Sequence, residues 1–555
     1  MTKRTRTVLG TLQKTDKIYS TMKLLSLLLL RVLYLAQTSA ARTWYPLGNW
    51  IEEEGENDIA GHAVANSGNG KFIAVSSPHY VPPDANGKRY GRVVVYGFDE
   101  IRDAWDKQGD DIVGEADDAL GSSMAMSEDG KSLIIGMKNN NLNGDPAGTV
   151  SVYILEEVDE NGNGTKVGAW KQKGVTLQGA YAFDEFGASV DIAAGGQIIA
   201  VGAPGHDRVN ADASKSHAVG VVHIYKFASE EVGWEKVGEP VEGEEAMDRF
   251  GETVSMSQLG VFAVGAPNGG LSQTGYVQVF AYNATASVWV YDGFKLNGSQ
   301  VGERFGTSVS MSYDGMAVAV GAPRHKGTRA GVAMTHSGIV HVYDLVAGTA
   351  GTAGTKTWVE RGEGLAGHAG DESGTAVSLS DDGNELAIGS PMSSTAEHKE
   401  SGHVAVYYYV DEKWETMGLD INGKSAYNHL GESVAISANG HQVIAGAPDE
   451  GYATVYELTL TASPTSSPTA FPQGGEPDGA GTGGKSGPSK FTSFVRFVLI
   501  VAVIVFGLFA AFKGVQAYRN KGRSFQAPSD LEMSDTVGEG GASGAVPNDE
   551  GHDII

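Results

Sequence analysis

The sequence predicts an all-β fold, a seven-bladed β-propeller with four-stranded blades, plus one C-terminal transmembrane helix. Three observations carry this prediction. One pattern recurs seven times across residues 43–460, at spacings of 55 to 68 residues. A Trp-x3-Gly motif also recurs seven times, offset so that its first copy precedes the first repeat. An uncharged apolar run, Phe497 to Phe512, stands near the C terminus and is followed at once by basic residues.

The repeat is clearest between Phe305 and Pro323. It opens on Phe305-Gly306, alternates through Ser308-Val309-Ser310-Met311, turns at Tyr313-Asp314-Gly315 and closes on Gly321-Ala322-Pro323. Asp-Gly is a favoured two-residue hairpin turn, so the first two strands are expected to join through one. The second strand, Ala317 to Val320, is small and apolar throughout, as a strand covered on both faces should be. Its Gly and Ala admit the next blade closely, and its Pro ends the ladder. Gly338-Ile-Val-His-Val-Tyr343 supplies a third strand, and the segment around Trp358 a fourth. The opening Gly recurs at Gly61, Gly121, Gly187, Gly251, Gly306, Gly374 and Gly431. Four-stranded units of this size suit propeller blades. Each unit needs neighbours on both sheet faces, and a ring leaves no raw end.

Closure of the ring is readable from the offset. Trp-x3-Gly starts at Trp44, Trp105, Trp170, Trp234, Trp289, Trp358 and Trp414, and no Trp follows the seventh repeat. Residues 43–52 are therefore expected to supply the outer strand of the last blade. A Trp that recurs in every unit is expected to pack between blades.

The two ends carry membrane signals. Residues 24–35 form an apolar run of signal-peptide length, preceded by Lys23 and followed by the small residues Thr38-Ser39-Ala40-Ala41. Residues 1–41 thus read as a signal-peptide region, with Met22 as an alternative start and an uncleaved anchor as the alternative role. Residues 491–512 reach 22 residues, enough to span a bilayer. Lys513, Arg519, Lys521 and Arg523 behind them place that side in the cytoplasm. Residues 461–490 are rich in Ser, Thr, Pro and Gly and read as an extended stalk. The tail, 513–555, is Gly-, Ser- and acid-rich and reads as disordered. Together these predict a single-pass type I protein of the plasma membrane with its propeller outside.

Composition removes several classes. With no cysteine among 555 residues, disulfide frameworks, Cys-ligated zinc and Cys nucleophiles are excluded. A net charge of −26 argues against nucleic acid as a partner, because phosphate neutralisation needs a basic surface.

Phe-Gly at 186–187, 250–251 and 305–306, each followed by Gly-Ala-Pro, resembles the FG-GAP repeat of integrin α-subunit propellers. The resemblance covers residues 43–460 and implies an extracellular, ligand-binding propeller used in adhesion or recognition. Integrin repeats often carry a calcium loop between the first two strands. Here those turns, such as Ser127-Glu128-Asp129-Gly130 and Ser380-Asp381-Asp382-Gly383, lack the length and ligand count for calcium. Leg domains are missing, and Phe512-Lys513-Gly514-Val515 does not match the integrin membrane-proximal motif. These departures weigh against an integrin-type β partner.

Candidate sites lie in the connections between second and third strands. These seven loops hold 9 Lys/Arg and 8 Asp/Glu, against 26 and 57 in the whole of 43–460. A near-neutral rim dotted with His and Arg on an acidic body is expected to focus anionic ligands such as acidic glycans. The rim residues expected to bind are His79, Arg89, His206, Arg208, His217, Arg324, His325, Arg329, His336 and His398. Asn163, Asn283 and Asn297 each open a glycosylation sequon. Asp159-Glu-Asn161-Gly-Asn163-Gly164 starts like an EF-hand loop, but Trp170 stands where the bidentate Glu belongs, so a polar hairpin loop is expected instead. No metal, cofactor or catalytic motif is expected. The function read from the sequence is a cell-surface propeller that binds an extracellular protein or glycan. A hydrolase acting on glycans or phospholipids, or a structural surface protein, is the alternative.

Overall fold

The computed structural model describes residues 41–461 apart from 53–57, 84, 141–145, 159–166, 194, 211–213, 271, 330–331 and 348–355. The predicted signal-peptide region before Ala41, the stalk beyond Thr461, the transmembrane helix and the tail lie outside the described residues, while Ala41 and Thr461 themselves pair as strand. Among the described residues no helix is long and apolar enough to cross a membrane.

Among the described residues, seven five-stranded antiparallel sheets form the blades, six of them each built from one copy of the repeat and the seventh completed by the N-terminal strands, and two small hairpins lie outside them. The fifth blade is representative: Ser308–Met311, Ala317–Ala322, Ile339–Ala347 and Lys356–Glu360 pair in chain order. A fifth, two-residue strand, Leu365–Ala366, pairs with the upper end of the third. That short strand recurs in every blade and is an addition to the four-strand expectation. It arises because the outer edge breaks at the Gly of Trp-x3-Gly and then rejoins the ladder.

The seventh blade closes the ring as the offset required. Ala41–Pro46 pairs antiparallel with Tyr452–Thr461, Trp44 opposite Leu458, and Ile51–Glu52 supplies the short strand. Each first strand packs against the first strand of the next blade, and Ser433–Ile436 of the seventh packs against Val64–Asn66 of the first. Between blades lie apolar clusters. The one at the closing junction joins Ile444, Ala453 and Val455 of the last blade to Ile73, Val75 and Trp105 of the first.

The repeat residues make these junctions. All six residues of Ala317–Ala322 are buried. A Cβ on Gly321 would stand 2.2 Å from the carbonyl oxygen of Gly374, the opening Gly of the next blade. Five other second-strand glycines, Gly136, Gly202, Gly265, Gly389 and Gly446, meet the next opening Gly in the same way. A hydroxyl two residues after an opening Gly then donates to that same next-blade carbonyl, as Ser308 does to Gly374 at 2.8 Å. Phe-Gly and Gly-Ala-Pro are thus two halves of one contact made between blades.

Trp-x3-Gly is a second such contact, on the outside. Every one of the seven indoles donates to a backbone carbonyl of the preceding blade: Trp105 to Leu47, Trp170 to Gln108, Trp234 to Lys173, Trp289 to Val237, Trp358 to Asp292, Trp414 to Arg361 and Trp44 to Met417. The indole edge lies on the Gly that follows that carbonyl, for example Trp414 on Gly362, where a Cβ would come to 3.0 Å.

The first-to-second strand turns are wider than the two-residue form expected. Ser312 N–H donates to Ala317 O and Gly315 N–H to Ser312 O, so four residues form the loop. Asp314 accepts from the Ser312 hydroxyl at 2.8 Å and from the Met316 N–H at 2.9 Å, and this local pairing sets the width. The turns also join one another. N–H groups of Gln258, Tyr313, Asp381, Ala438 and Gly68 donate in turn to carbonyls of Tyr313, Asp381, Ala438, Gly68 and Glu128, at 2.9 to 3.0 Å. One end of the propeller, the lower, is thereby laced through six blades.

Candidate functional site

In an antiparallel four-stranded blade, the second-to-third and fourth-to-first connections leave at the same end. That end, the upper face, carries the long loops, and two of the loops are themselves ordered. Arg208–Val209 pairs with Lys215–Ser216 in the third blade, and Gly327–Arg329 with Val332–Met334 in the fifth. Two of these connections therefore carry small β-hairpins above the rim.

A carboxylate or amide stands three residues before each opening Gly: Asp58, Asp118, Asp184, Asp248, Glu303, Asp371 and Asn428. All but Asp118 are buried. These side chains brace the fourth-to-first connection by accepting its N–H groups, as Asp184 does from Tyr181 at 2.9 Å, Asp371 from His368 at 2.7 Å and Asp248 from Glu245 at 3.0 Å. The acid then meets a polar group on its own blade. Asp184 pairs with His206 Nδ1 at 3.2 Å, Glu303 with His325 Nδ1 at 2.7 Å, and Asp248 accepts from the Tyr276 hydroxyl at 2.8 Å. His206 and His325 thus belong to a loop lock present in several blades. The hydrogen bond that Asp184 accepts outweighs burial and raises the His206 pKa. At Glu303 burial pulls upward, but His325 and the N–H groups of Gln300 and Ser299 prevail and hold the carboxyl below its ordinary value. The sequence reading missed this acid, although its fixed spacing from the Gly was visible.

Left-handed backbone marks the same connections. The residue two before each opening Gly has φ between 50° and 60°: Ile59, Ala119, Glu185, Arg249, Arg304, Glu372 and His429. Two positions earlier, Asp117, Phe183, Met247 and Tyr427 are left-handed as well. Non-Gly residues held there cost roughly 1–3 kcal/mol each and persist where surrounding structure imposes them. Phe183 and Met247 also leave 71% and 58% of their surface exposed. They flank the 205–219 loop: Gly205 N–H donates to Asp184 O at 3.0 Å, and Met247 N–H to His217 O at 2.9 Å. Tyr181, 62% exposed, lies with its ring 5.9 Å from that of His206, and Val209 on the small hairpin is exposed too.

The ten expected rim residues fall on four blades. His79 and Arg89 lie together on the first, Nε2 to Nη1 at 3.3 Å, and burial followed by the Arg89 charge lowers the His79 pKa. On the third, His217 pairs with Asp207 at 3.0 Å, while Arg208 donates to Gly243 O and Glu244 O at 3.1 and 2.8 Å. Arg208 is therefore a strut between connections. On the fifth, Arg324, His325 and His336 flank the strand that carries Arg329, and His336 reaches Glu372 at 3.8 Å. His398 N–H donates to Thr395 Oγ1 on the sixth. Among the described residues, no hydrogen bond links one of these histidines to another. No three His, Cys, Asp or Glu side chains among them are placed to hold a metal ion.

Charge on the upper face differs from that of the second-to-third connections alone. The fourth-to-first connections (49–60, 110–120, 175–186, 239–250, 294–305, 363–373 and 419–430) hold 22 acidic and 4 basic residues. With the second-to-third connections included, the upper connections carry a net negative charge, which opposes the anion-drawing field expected of the rim. Of the sequons, Asn283 ends the third strand of the fourth blade and Asn297 sits in its short outer strand, both exposed. Asn163 and the 159–164 loop lie outside the described residues.

No protein-family model and no curated protein matches this chain. The likeness to FG-GAP propellers accordingly rests on the repeat and on the blade geometry that the repeat produces.

Proposed function

We propose that the chain is a membrane-tethered cell-surface recognition module whose propeller binds an extracellular protein or glycan on its upper face, around the 205–219 loop of the third blade. One observation carries the location. Phe183 and Met247 are large, apolar, exposed and held in left-handed backbone, on either side of a loop that rises as its own hairpin. Residues held at such a backbone cost cluster at ligand clamps and functional sites, and neighbouring exposed apolar groups mark interaction surfaces. The signal-peptide pattern and the 491–512 run support display outside the cell.

The test is a screen of the full-length protein, displayed on cells, against matrix and cell-wall proteins and glycans. The captured ligand is then retested with Phe183→Ser/Met247→Ser and with 205–219 replaced by a short Gly/Ser turn. Binding is expected to weaken at least about tenfold in each, as for loss of central apolar anchors. Undiminished binding by both variants would move the site elsewhere.

A further inference from the structure

The outer edge of the fourth blade differs from the other six. Arg42, Lys107, Lys171, Lys236, Lys356 and Lys413 place a cation on each of the other outer strands. An edge strand presents a bare row of N–H and C=O groups, a template for pairing with another chain, and charge on the strand blocks that pairing. The outer strand of the fourth blade, Val288–Tyr291, reads Val-Trp-Val-Tyr and has no charge. Trp289 packs toward the third blade. Val288, Val290, Tyr291 and, just past the break at Gly293, Phe294 are exposed, the last two by 63% and 67%.

Two of the chain's three sequons stand at this edge, Asn283 at its lower end and Asn297 at its upper end. The ladder register sets them on opposite faces. Asn283 lies opposite Val288 and Ala281 opposite Val290, so Asn283, Val288 and Val290 project from one face. Asn297 lies opposite Tyr276, whose face also carries Phe280 and, across from it, Tyr291. The first face packs on the fifth blade through Val277 and Leu296, and the second on the third blade through Tyr276 and Phe280. Both Asn side chains are exposed. Asn283 Oδ1 accepts from the N–H groups of Thr285 and Ala286, each at 3.1 Å, while its Nδ2 has no hydrogen-bond partner among the described residues. Asn297 Nδ2 donates to Lys295 O at 3.3 Å, and a glycosylated Asn keeps one such N–H.

We infer that Asn283 and Asn297 carry N-linked glycans that cover the open outer edge of the fourth blade, one from each face, and keep it from pairing with another chain. The occupant of this apolar edge is the chain's own sugar. A glycan is bulky and solubilising, so it does here what a cation does on the other six outer strands. In the transfer, Asn Nδ2 attacks C1 of a lipid-pyrophosphate-linked oligosaccharide. The C1–O bond breaks, the N–C1 bond forms, the amide loses one proton and the lipid pyrophosphate leaves. That donor is met on the lumenal side of the secretory pathway, so the inference rests on the reading of residues 1–41 as a signal-peptide region.

Full-length protein made in a eukaryotic secretory cell tests this by peptide mapping and by sedimentation velocity in detergent. Asn283 and Asn297 are each expected to carry a glycan. Asn283→Gln/Asn297→Gln should raise the apparent mass about twofold or more over wild type, through edge-to-edge contact. Adding Val288→Lys/Val290→Lys to that variant should abolish the association. Trimming the folded wild type with an endoglycosidase that leaves one sugar on each Asn should induce the same association, which separates shielding from any effect on folding. An unmodified Asn283 or Asn297, or a trimmed protein that does not associate, would overturn the inference. Surface biotinylation of intact cells reads the location of the propeller independently. A labelled propeller with empty sequons would sink the glycans alone, whereas an unlabelled one would sink display outside the cell as well.

Discussion

Asp191 holds the place, four residues after an opening Gly, that Ser255, Ser310 and Ser378 hold in the following blades. In each case the side-chain oxygen accepts a backbone N–H from the first strand of the next blade. Met256 donates to Asp191 at 2.6 Å, Met311 to Ser255 at 3.1 Å, and Leu379 and Ile436 to Ser310 and Ser378 at 3.0 Å. Inner-edge N–H groups, left bare where sheets meet edge to face, are satisfied this way. A hydroxyl does this without charge; a carboxylate does not. Burial, opposed by the N–H groups of Met256 and Ile192, drives Asp191 up to about 6 from an ordinary 3.8. A raised acid favours the protonated fold, so stability falls as pH rises from about 4 through about 6 and the penalty persists above. Asp191→Ser is expected to stabilise the protein at pH 7 by roughly 1–3 kcal/mol and by little at pH 4. Urea titrations at the two pH values check it, and a variant that is weaker at pH 7 would contradict the account.

The blade is the next unit of organisation, and its stability is shared with its neighbours. Gly321 has ordinary backbone angles, so Gly321→Ala tests close approach alone: the new methyl would meet the Gly374 carbonyl at 2.2 Å. A loss of about 1–3 kcal/mol is expected, as for overpacking, whereas Gly260, with no atom near its would-be Cβ, should respond through its left-handed φ only. Trp44 is 8% exposed and carries the closing strand. Trp44→Ala should cost about 3–5 kcal/mol and expose the seventh and first blades to proteolysis before the others, as limited digestion would reveal. Intact resistance at that junction would show that closure contributes little. The closing strand was legible in the sequence because a Trp count and a repeat count disagreed by position. The short fifth strand was not, because a two-residue ladder leaves no periodicity. The four-residue turn at Ser312–Ala317 was misread because Asp-Gly alone does not reveal that the Asp is engaged by the preceding Ser.

At the scale of the whole molecule the two faces diverge. On the lower one the first-to-second strand turns are laced by backbone hydrogen bonds through six blades. The upper one concentrates variation, left-handed backbone and acid. Binding of a partner with a basic surface should therefore weaken steeply when NaCl rises from about 50 to about 500 mM, mostly through a slower association rate. Titration by surface plasmon resonance would show it, and an association rate independent of salt would remove the acidic field from the mechanism. Candidate residues fared unevenly at this scale. His79 and Arg89 do meet, but His206, Arg208 and His325 brace loops.

The amino-acid sequence determined the blade count, the strand order and the offset closure. Each follows from a local period repeated in register, and apolar sheet faces leave no other way to be covered. Only the tertiary structure decided what the repeated glycines touch, how the lower turns join, and which charges on the upper face are paired. Those are relations between adjacent blades, and their distances are set by packing across a junction that no single repeat contains.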